Sequence, residues 1–160
     1  MAASATVRSA RVSDAEAISR LIYSQLHHRT PEPAGPAPES FLQRFSPRFL
    51  EECIAGGRHR YLVALAEDRL VGVLGVRENR HVLHLFVAES HQRQGIARRL
   101  WEQTKAELLA VETEVDLFVR SSVYAVPVYL QFGFEVSGPR VDDPGVSWVP
   151  MRQVIRRGQD

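Results

Sequence analysis

Residues 81–100, HVLHLFVAESHQRQGIARRL, change their hydrophobic pattern part-way, and few chain paths accommodate that change. An apolar β-type run ends near Val87, a polar loop follows, and Gly95 opens an amphipathic helix to Ala110, with Ile96, Leu100, Trp101 and Leu108 on its apolar side. A strand that delivers the chain to a helix start leaves unpaired N–H groups and a positive dipole end, which together bind anionic phosphate. Gly95 lets the backbone approach a ligand with no Cβ in the way, and Ala97 keeps the next turn small. Arg93, Arg98 and Arg99 concentrate positive charge in the same segment. Gly-Lys-Ser/Thr and Gly-x-Gly-x-x-Gly are both absent, so this is neither a nucleoside-triphosphate loop nor a dinucleotide fingerprint.

The flanking sequence fixes the setting of this segment. Residues 6–10 fit a short strand, and Ser13-Asp14-Ala15-Glu16 has the form of a capping box. Ile18, Leu21, Ile22 and Leu26 then follow at helical spacing, predicting a first helix to about His28. Residues 30–40 hold four prolines and a glycine and must be a loop, one that lines an acceptor site or simply connects two helices. Residues 41–55 are helical, interrupted at Pro47 and ended by Gly56-Gly57. Runs 61–66 and 70–76 form a hairpin pattern joined at Glu67-Asp68-Arg69, and 81–87 is a third apolar run. Residues 115–119 alternate as a strand, 124–132 fit a short helix ended by Gly133, and 134–136 and 147–155 read as closing strands around a turn at 142–145. The expected order is β-α-α-β-β-β-α-β-α-β-β, without repeats, in one domain spanning residues 1–160.

Composition excludes more than it identifies. With 20 Lys+Arg against 19 Asp+Glu, the formal charge is +1, which argues against nucleic acid or a polybasic membrane surface as partner. One cysteine, Cys53, excludes an internal disulfide framework and a thiolate metal cluster, and the scattered histidines, His27 and His28 included, suggest no metal site. No run reaches the ~18 apolar residues of a membrane span. The first thirteen residues are acid-free and rich in Ser, Ala and Arg, as transit peptides are, but a short strand fits there too and a cytoplasmic setting is expected. Lys105 is the only lysine, a bias that suggests a high-GC bacterial coding sequence.

Two separated motifs carry a family resemblance. Gln92-Arg93-Gln94-Gly95-Ile96-Ala97 resembles the Gln/Arg-x-x-Gly-x-Gly/Ala motif of the GNAT N-acetyltransferase superfamily, and the strand before it ends eight residues ahead of Gly95, as in that family. Downstream, residues 125–134, AVPVYLQFGF, resemble its closing Ala-x-x-x-Tyr-x-x-x-Gly-Phe segment. The resemblance implies an α/β (α+β) fold, the acyl-CoA N-acyltransferase (GNAT) fold, with a mixed, mostly antiparallel central sheet flanked by helices. It implies acetyl-CoA as co-substrate, no metal, and an amine acceptor. Homodimers built through the last strands are common in that family.

Residue by residue, the resemblance assigns the pyrophosphate to the backbone of the motif loop, with Gln92, Arg93, Gln94, Gly95, Ile96, Ala97, Arg98 and Arg99 as cofactor-binding positions. It assigns backbone contacts with the pantetheine arm and thioester to Leu85, Phe86 and Val87. Tyr129 matches the family's general acid. Ser122 stands seven residues before it, where many members have asparagine near the cofactor or acceptor. For the general base, His81 occupies the position of the glutamate used by the histone-modifying branch, Glu78 is a second candidate, and deprotonation through water is a third solution. Strict strand alternation puts His84 on the face opposite His81, so one of the two faces the cleft. The expected reaction is direct acetyl transfer to a primary amine of a small molecule, peptide or protein. A non-catalytic acetyl-CoA sensor is the competing reading, which loss of the tyrosine would favour. An unrelated α+β interaction domain is a third.

Overall fold

The computed structural model describes residues 4–26, 39–143 and 145–159. Eight strands among them form one sheet: β1 Thr6–Ser9, β2 His59–Ala66, β3 Arg69–Arg77, β4 His81–Val87, β5 Glu114–Ser121, β6 Glu135–Val136, β7 Val141–Asp143 and β8 Val146–Arg156. The spatial order is β1-β2-β3-β4-β5-β8-β6, with β7 also paired to β8. Every pairing is antiparallel except β4 with β5, so the sheet is mixed and mostly antiparallel, as expected. Glu67-Asp68 and Glu78-Asn79 all have positive φ, a reversal that matches strand twist; the first pair alone joins β2 to β3, and the second, with Arg80, joins β3 to β4.

Helices cover the two faces of the sheet. On one face, α4 (Ile96–Val111) and α5 (Val126–Gln131) bury Leu100, Trp101 and Tyr129 against Leu74, Val82, Leu117 and Met151. On the other, α1 (Ala15–Ser24) and α3 (Pro47–Ala55) bury Ile18, Ile22 and Leu50 against Tyr61, Val73 and Phe86. Each such side chain stabilises the fold by roughly 1.5–3 kcal/mol. The two cores form because α4 and α1 each carry an apolar stripe and the central strands are apolar on both faces. Cys53 is buried in the second core.

Several boundaries depart from the sequence reading. The capping interaction before α1 is not made by Ser13, which lies in a 3-10 turn. Asp14 instead accepts the Arg11 backbone N–H at 2.7 Å and holds the Arg8 guanidinium through two hydrogen bonds of 2.7 and 3.0 Å. The arginine neighbour holds the Asp14 carboxyl below the usual carboxylate range. Pro47 does not merely interrupt a helix. A short helix α2 (Glu39–Leu42) and a 3-10 turn precede it, and Ser46 then accepts from the Phe49 N–H at 3.2 Å, starting α3 with proline at its first position. The turn-rich segment after Val136 contains β7, unforeseen from sequence. Residues 27–38, including His27, His28 and most of the Pro-rich stretch, lie outside the described residues. No helix among the described residues is long and apolar enough to cross a membrane.

Candidate active site

The one parallel pairing is also the shortest for its strands' lengths. β4 and β5 pair only at His81↔Phe118 and Val82↔Val119, after which the two strands part. β4 continues to Val87 and β5 to Ser121 with a cleft of about 530 Å³ beginning between them. Leu83, Leu85 and Val87 line one wall, Val119, Ser122 and Tyr129 the other, and the loop from Gln92 to Arg98 closes one end.

β4 carries a bulge at the point of parting. Gly75 pairs with His84 and Val76 with Val82, so Leu83 is the extra residue, unopposed on β3. The bulge overturns the simple alternation expected for the two histidines. Val82 packs in the α4 core while His84 packs in the α1 core, although they are two residues apart. His81 stacks on Phe118, whose neighbours Leu117 and Val119 point into the α4 core, so His81 and His84 share the opposite face.

Beyond the bulge, backbone direction decides which groups face the cleft. The Ala88 N–H donates to the Val71 carbonyl at 2.8 Å, so in an extended strand Phe86 also directs its backbone toward β3. Leu85 and Val87 then direct N–H and C=O groups toward the gap that β5 leaves open. The expectation of backbone contacts from three residues is thereby corrected: Phe86 lines the cleft, but its backbone is turned into the β3 ladder.

The loop after β4 is shaped for an anion. Arg93 and Gly95 both have positive φ (62° and 82°), alternating with ordinary residues so that successive N–H groups converge. No side chain caps the start of α4, and its first hydrogen bond runs from Arg99 N–H to Gly95 carbonyl. Gly95, Ile96, Ala97 and Arg98 are the positions whose N–H groups an α-helix leaves free at its start. A Cβ on Gly95 would meet no protein atom within 4 Å, so its left-handed backbone favours glycine while the space beside it stays open.

Side chains of this loop divide by direction. Arg93 and Arg98 line the cleft, and the Arg98 guanidinium lies 5.4 Å from the Phe132 ring centre. Arg99 does not: its guanidinium donates to the Ala5 carbonyl, clamping the chain ahead of β1, and its own N–H is used within the helix. Its assignment to the cofactor is corrected accordingly. The Gln94 side chain reaches back to the Ser90 carbonyl at 3.4 Å, leaving only its backbone for a ligand. Gln92 donates to the Val87 carbonyl at 3.0 Å and to Gln25 Oε1 at 3.3 Å. Ser122 is buried and its hydroxyl accepts the Ala125 N–H at 3.1 Å, shaping the turn into α5. Tyr129 lines the cleft with its ring edge-on to Phe134 and Phe132.

Neither base candidate lines this cleft. Glu78 sits in the β3–β4 turn, exposed and ion-paired with Arg58. His81 is at the closed end of the gap, stacked on Phe118 with centroids 4.3 Å apart, and its Nδ1 accepts from Arg77 at 3.0 Å. Burial, then Arg77 and Arg120, push the imidazole down from 6.5 to about 4, so it is neutral at neutral pH. Among the described residues no carboxylate lines the cleft. The sequence reading passed over several residues that do, among them His91, Tyr124 and Gln25. Tyr124 donates to Gln92 Oε1 at 3.4 Å, and Gln25 is a buried amide at the end of α1. Gln25 stands three residues after Ile22 and four after Leu21, a polar residue on the apolar stripe, which was its one visible signal.

A strand pair thus parts beside an uncapped helix start, and the family comparison accords with the resemblance that the two motifs carry. The chain matches the family model described as acetyltransferase (GNAT) domain over residues 11–155. It belongs to the GNAT acetyltransferase family. Similar solved structures share the GNAT fold over nearly the whole chain. The PaiA N-acetyltransferase from Thermoplasma acidophilum, in complex with coenzyme A, is 18% identical, with 92% of this chain and 98% of that one covered and a TM-score of 0.72. An aminoglycoside 6'-N-acetyltransferase complexed with coenzyme A is 13% identical, with coverages of 97% and 99% and a TM-score of 0.71. A spermidine N-acetyltransferase from Vibrio cholerae is 19% identical, with coverages of 94% and 93% and a TM-score of 0.63. No curated protein matches the chain by sequence.

Proposed function

We propose that this GNAT domain is an acetyl-CoA-dependent N-acetyltransferase that moves the acetyl group directly to a primary amine of a small molecule, peptide or protein. The observation that carries the reading is the junction of a strand edge that β5 leaves unpaired, at Leu85 and the Val87 N–H, with the uncapped start of α4. The first accepts an extended amide-bearing arm as a further strand would, and the second accepts the pyrophosphate at its end. The residues present therefore fit coenzyme A, whose acetyl thioester offers a carbonyl carbon open to attack by an amine.

Each residue keeps the role its position allows. The N–H groups of residues 93–98 hold the pyrophosphate, with Arg93 and Arg98 adding charge at the cleft. Backbone N–H groups on the open edge of β4 polarise the thioester carbonyl. The amine nitrogen forms the new C–N bond as the C–S bond breaks, and Tyr129 gives its phenolic proton to the departing sulfur and recovers one from water. The proton lost by the amine passes to solvent through water, a route favoured because neither Glu78 nor His81 lines the cleft. Direct transfer is supported by the lining of the cleft, which among the described residues holds no cysteine. Cys53 lies in the other core with burial pushing its thiol up, and the Ser122 hydroxyl is engaged with the Ala125 N–H. A bacterial, cytoplasmic setting accords with the arginine-for-lysine bias and the single unpaired cysteine.

The test runs in two stages. Coenzyme A is expected to raise the melting temperature, and acetyl-CoA with an amine panel is expected to release free thiol. A polyamine and an aminoglycoside open the panel, because similar structures carry those names. Absence of any thermal shift would reject coenzyme A as ligand. A shift without thiol release across the panel would leave a binding domain without turnover, and a stable acetyl-enzyme would refute direct transfer.

A further inference from the structure

We infer that Gln25 is a positioning residue for the cofactor loop, acting through the Val87 carbonyl. The inference rests on the reading of the cleft as a coenzyme A site. Val87 is the last residue of β4, and its carbonyl points into the gap that β5 has left. A buried carbonyl without a partner is costly, so this one must find donors outside the sheet. It finds two. The Gln25 side-chain amide donates to it from the end of α1, and the Gln92 amide donates to it at 3.0 Å from the loop. The two amides are also joined to each other, Gln92 Nε2 donating to Gln25 Oε1 at 3.3 Å, and the Tyr124 hydroxyl donates to Gln92 Oε1 at 3.4 Å.

This arrangement fixes one peptide plane from both sides. The 87–88 peptide has its N–H, that of Ala88, bonded to Val71 on β3 and its C=O held by the two glutamines. The loop that carries the anion-binding N–H groups starts from that plane, so the plane's orientation sets where residues 93–98 come to lie. Gln92 belongs to the loop and can move with it. Gln25 belongs to α1, packed in the opposite core through Ile18, Leu21 and Ile22, and supplies the fixed end. It is 4% exposed, a burial that an uncharged amide tolerates only because its donor and acceptor are both used.

The test compares coenzyme A binding by titration calorimetry in wild type, Gln25→Met and Gln25→Glu, with melting temperatures measured without ligand. Gln25→Met keeps the length and removes the donor, and its Kd is expected to rise about tenfold. Gln25→Glu supplies the readout that simple loss of packing would not move. An ionised carboxylate opposes the Val87 carbonyl, whereas a protonated one donates to it as the amide did. Burial raises the carboxyl pKa, so the ratio of variant to wild-type Kd is expected to fall toward one between about pH 8 and about pH 5.5. Wild-type Kd at each pH corrects for titration of the ligand itself. A folded Gln25→Met with wild-type Kd, or a pH-independent Gln25→Glu ratio, would overturn the inference alone. Should Gln25→Met fail to fold, the Gln25→Glu profile decides. Failure of wild type to bind coenzyme A would instead remove the functional reading and this inference with it.

Discussion

Replacing Tyr129 by phenylalanine separates catalysis from packing because of where the ring lies. It is 5% exposed, edge-on to Phe134 at 5.4 Å and to Phe132 at 6.4 Å between ring centres. Phenylalanine retains those contacts, so the stability change is that of a lost hydroxyl, about 1 kcal/mol. In a domain of this size that lowers the melting temperature by roughly 2–4 °C. Loss of a general acid is a different order of effect, about 10²–10⁴ in rate, or roughly 2.7–5.5 kcal/mol in the barrier. Alanine is the wrong substitution, since removing the ring would cost about 3–5 kcal/mol of folding stability and confuse the two.

The measurement is thiol release at saturating acetyl-CoA with the best amine of the panel, alongside thermal melting. The acid role predicts a large fall in kcat with a small fall in melting temperature. It also predicts dependence on the leaving group. A truncated donor with an aryl thiol, which departs without needing a proton, should be turned over by Tyr129→Phe and wild type at nearly equal rates. A folded variant with wild-type kcat would refute the role. So would an equal loss with the alkyl and aryl donors, because a disturbed cleft would slow both alike.

Arg98→Ala is expected to weaken coenzyme A binding several-fold, with stronger salt dependence in wild type, whereas Arg99→Ala should leave the Kd unchanged and lower the melting temperature by releasing the Ala5 carbonyl. Equal effects of the two on Kd would refute the division. Gly75→Ala would set a Cβ 2.5 Å from the Tyr61 ring, which is buried and stacked on His84, so a loss of about 1–3 kcal/mol or more is expected in chemical denaturation. A stability within experimental error of wild type would show that the ring can yield. His81 binds its proton in the folded state only near pH 4 but in the unfolded chain near 6.5. The unfolded state therefore takes up the proton first as pH falls, and stability is lost across that window. His81→Gln should flatten this limb of the stability–pH curve, and an unchanged slope would rule the histidine out as its source.

Sequence pattern reached most of the architecture because the chain states it locally. Strands β2 to β4 are each a compact apolar run, β5 alternates, helix α4 carries an apolar stripe, and the residues that shape the phosphate loop are contiguous. What it could not reach depends on direction about an axis. Arg98 and Arg99 are adjacent and chemically identical, yet successive helix residues differ by about 100° of rotation. One therefore lines the cleft, while the other reaches back to the Ala5 carbonyl. Gln25 is the same problem from another element. A single amide on the apolar stripe of α1 reads as a tolerated exception until Val87 is placed beside it.

The assignment of the histidines turned on a single residue. Alternation along 81–87 is the natural reading of an apolar strand, and Leu83 has no glycine or proline to signal an irregularity. Yet Leu83 is the bulge, and it directly follows Val82, the last residue of β4 that pairs with β5. A bulge increases local twist and bends its strand, so the same extra residue that turns His81 and His84 to one face also steers β4 away from β5. The cleft is thus opened by backbone register. Deleting Leu83 is therefore expected to restore alternation, extend the parallel pairing toward residue 87 and close the cleft with every motif residue still in place, and a folded deletion variant that keeps the wild-type thermal shift with coenzyme A would refute this origin of the cleft.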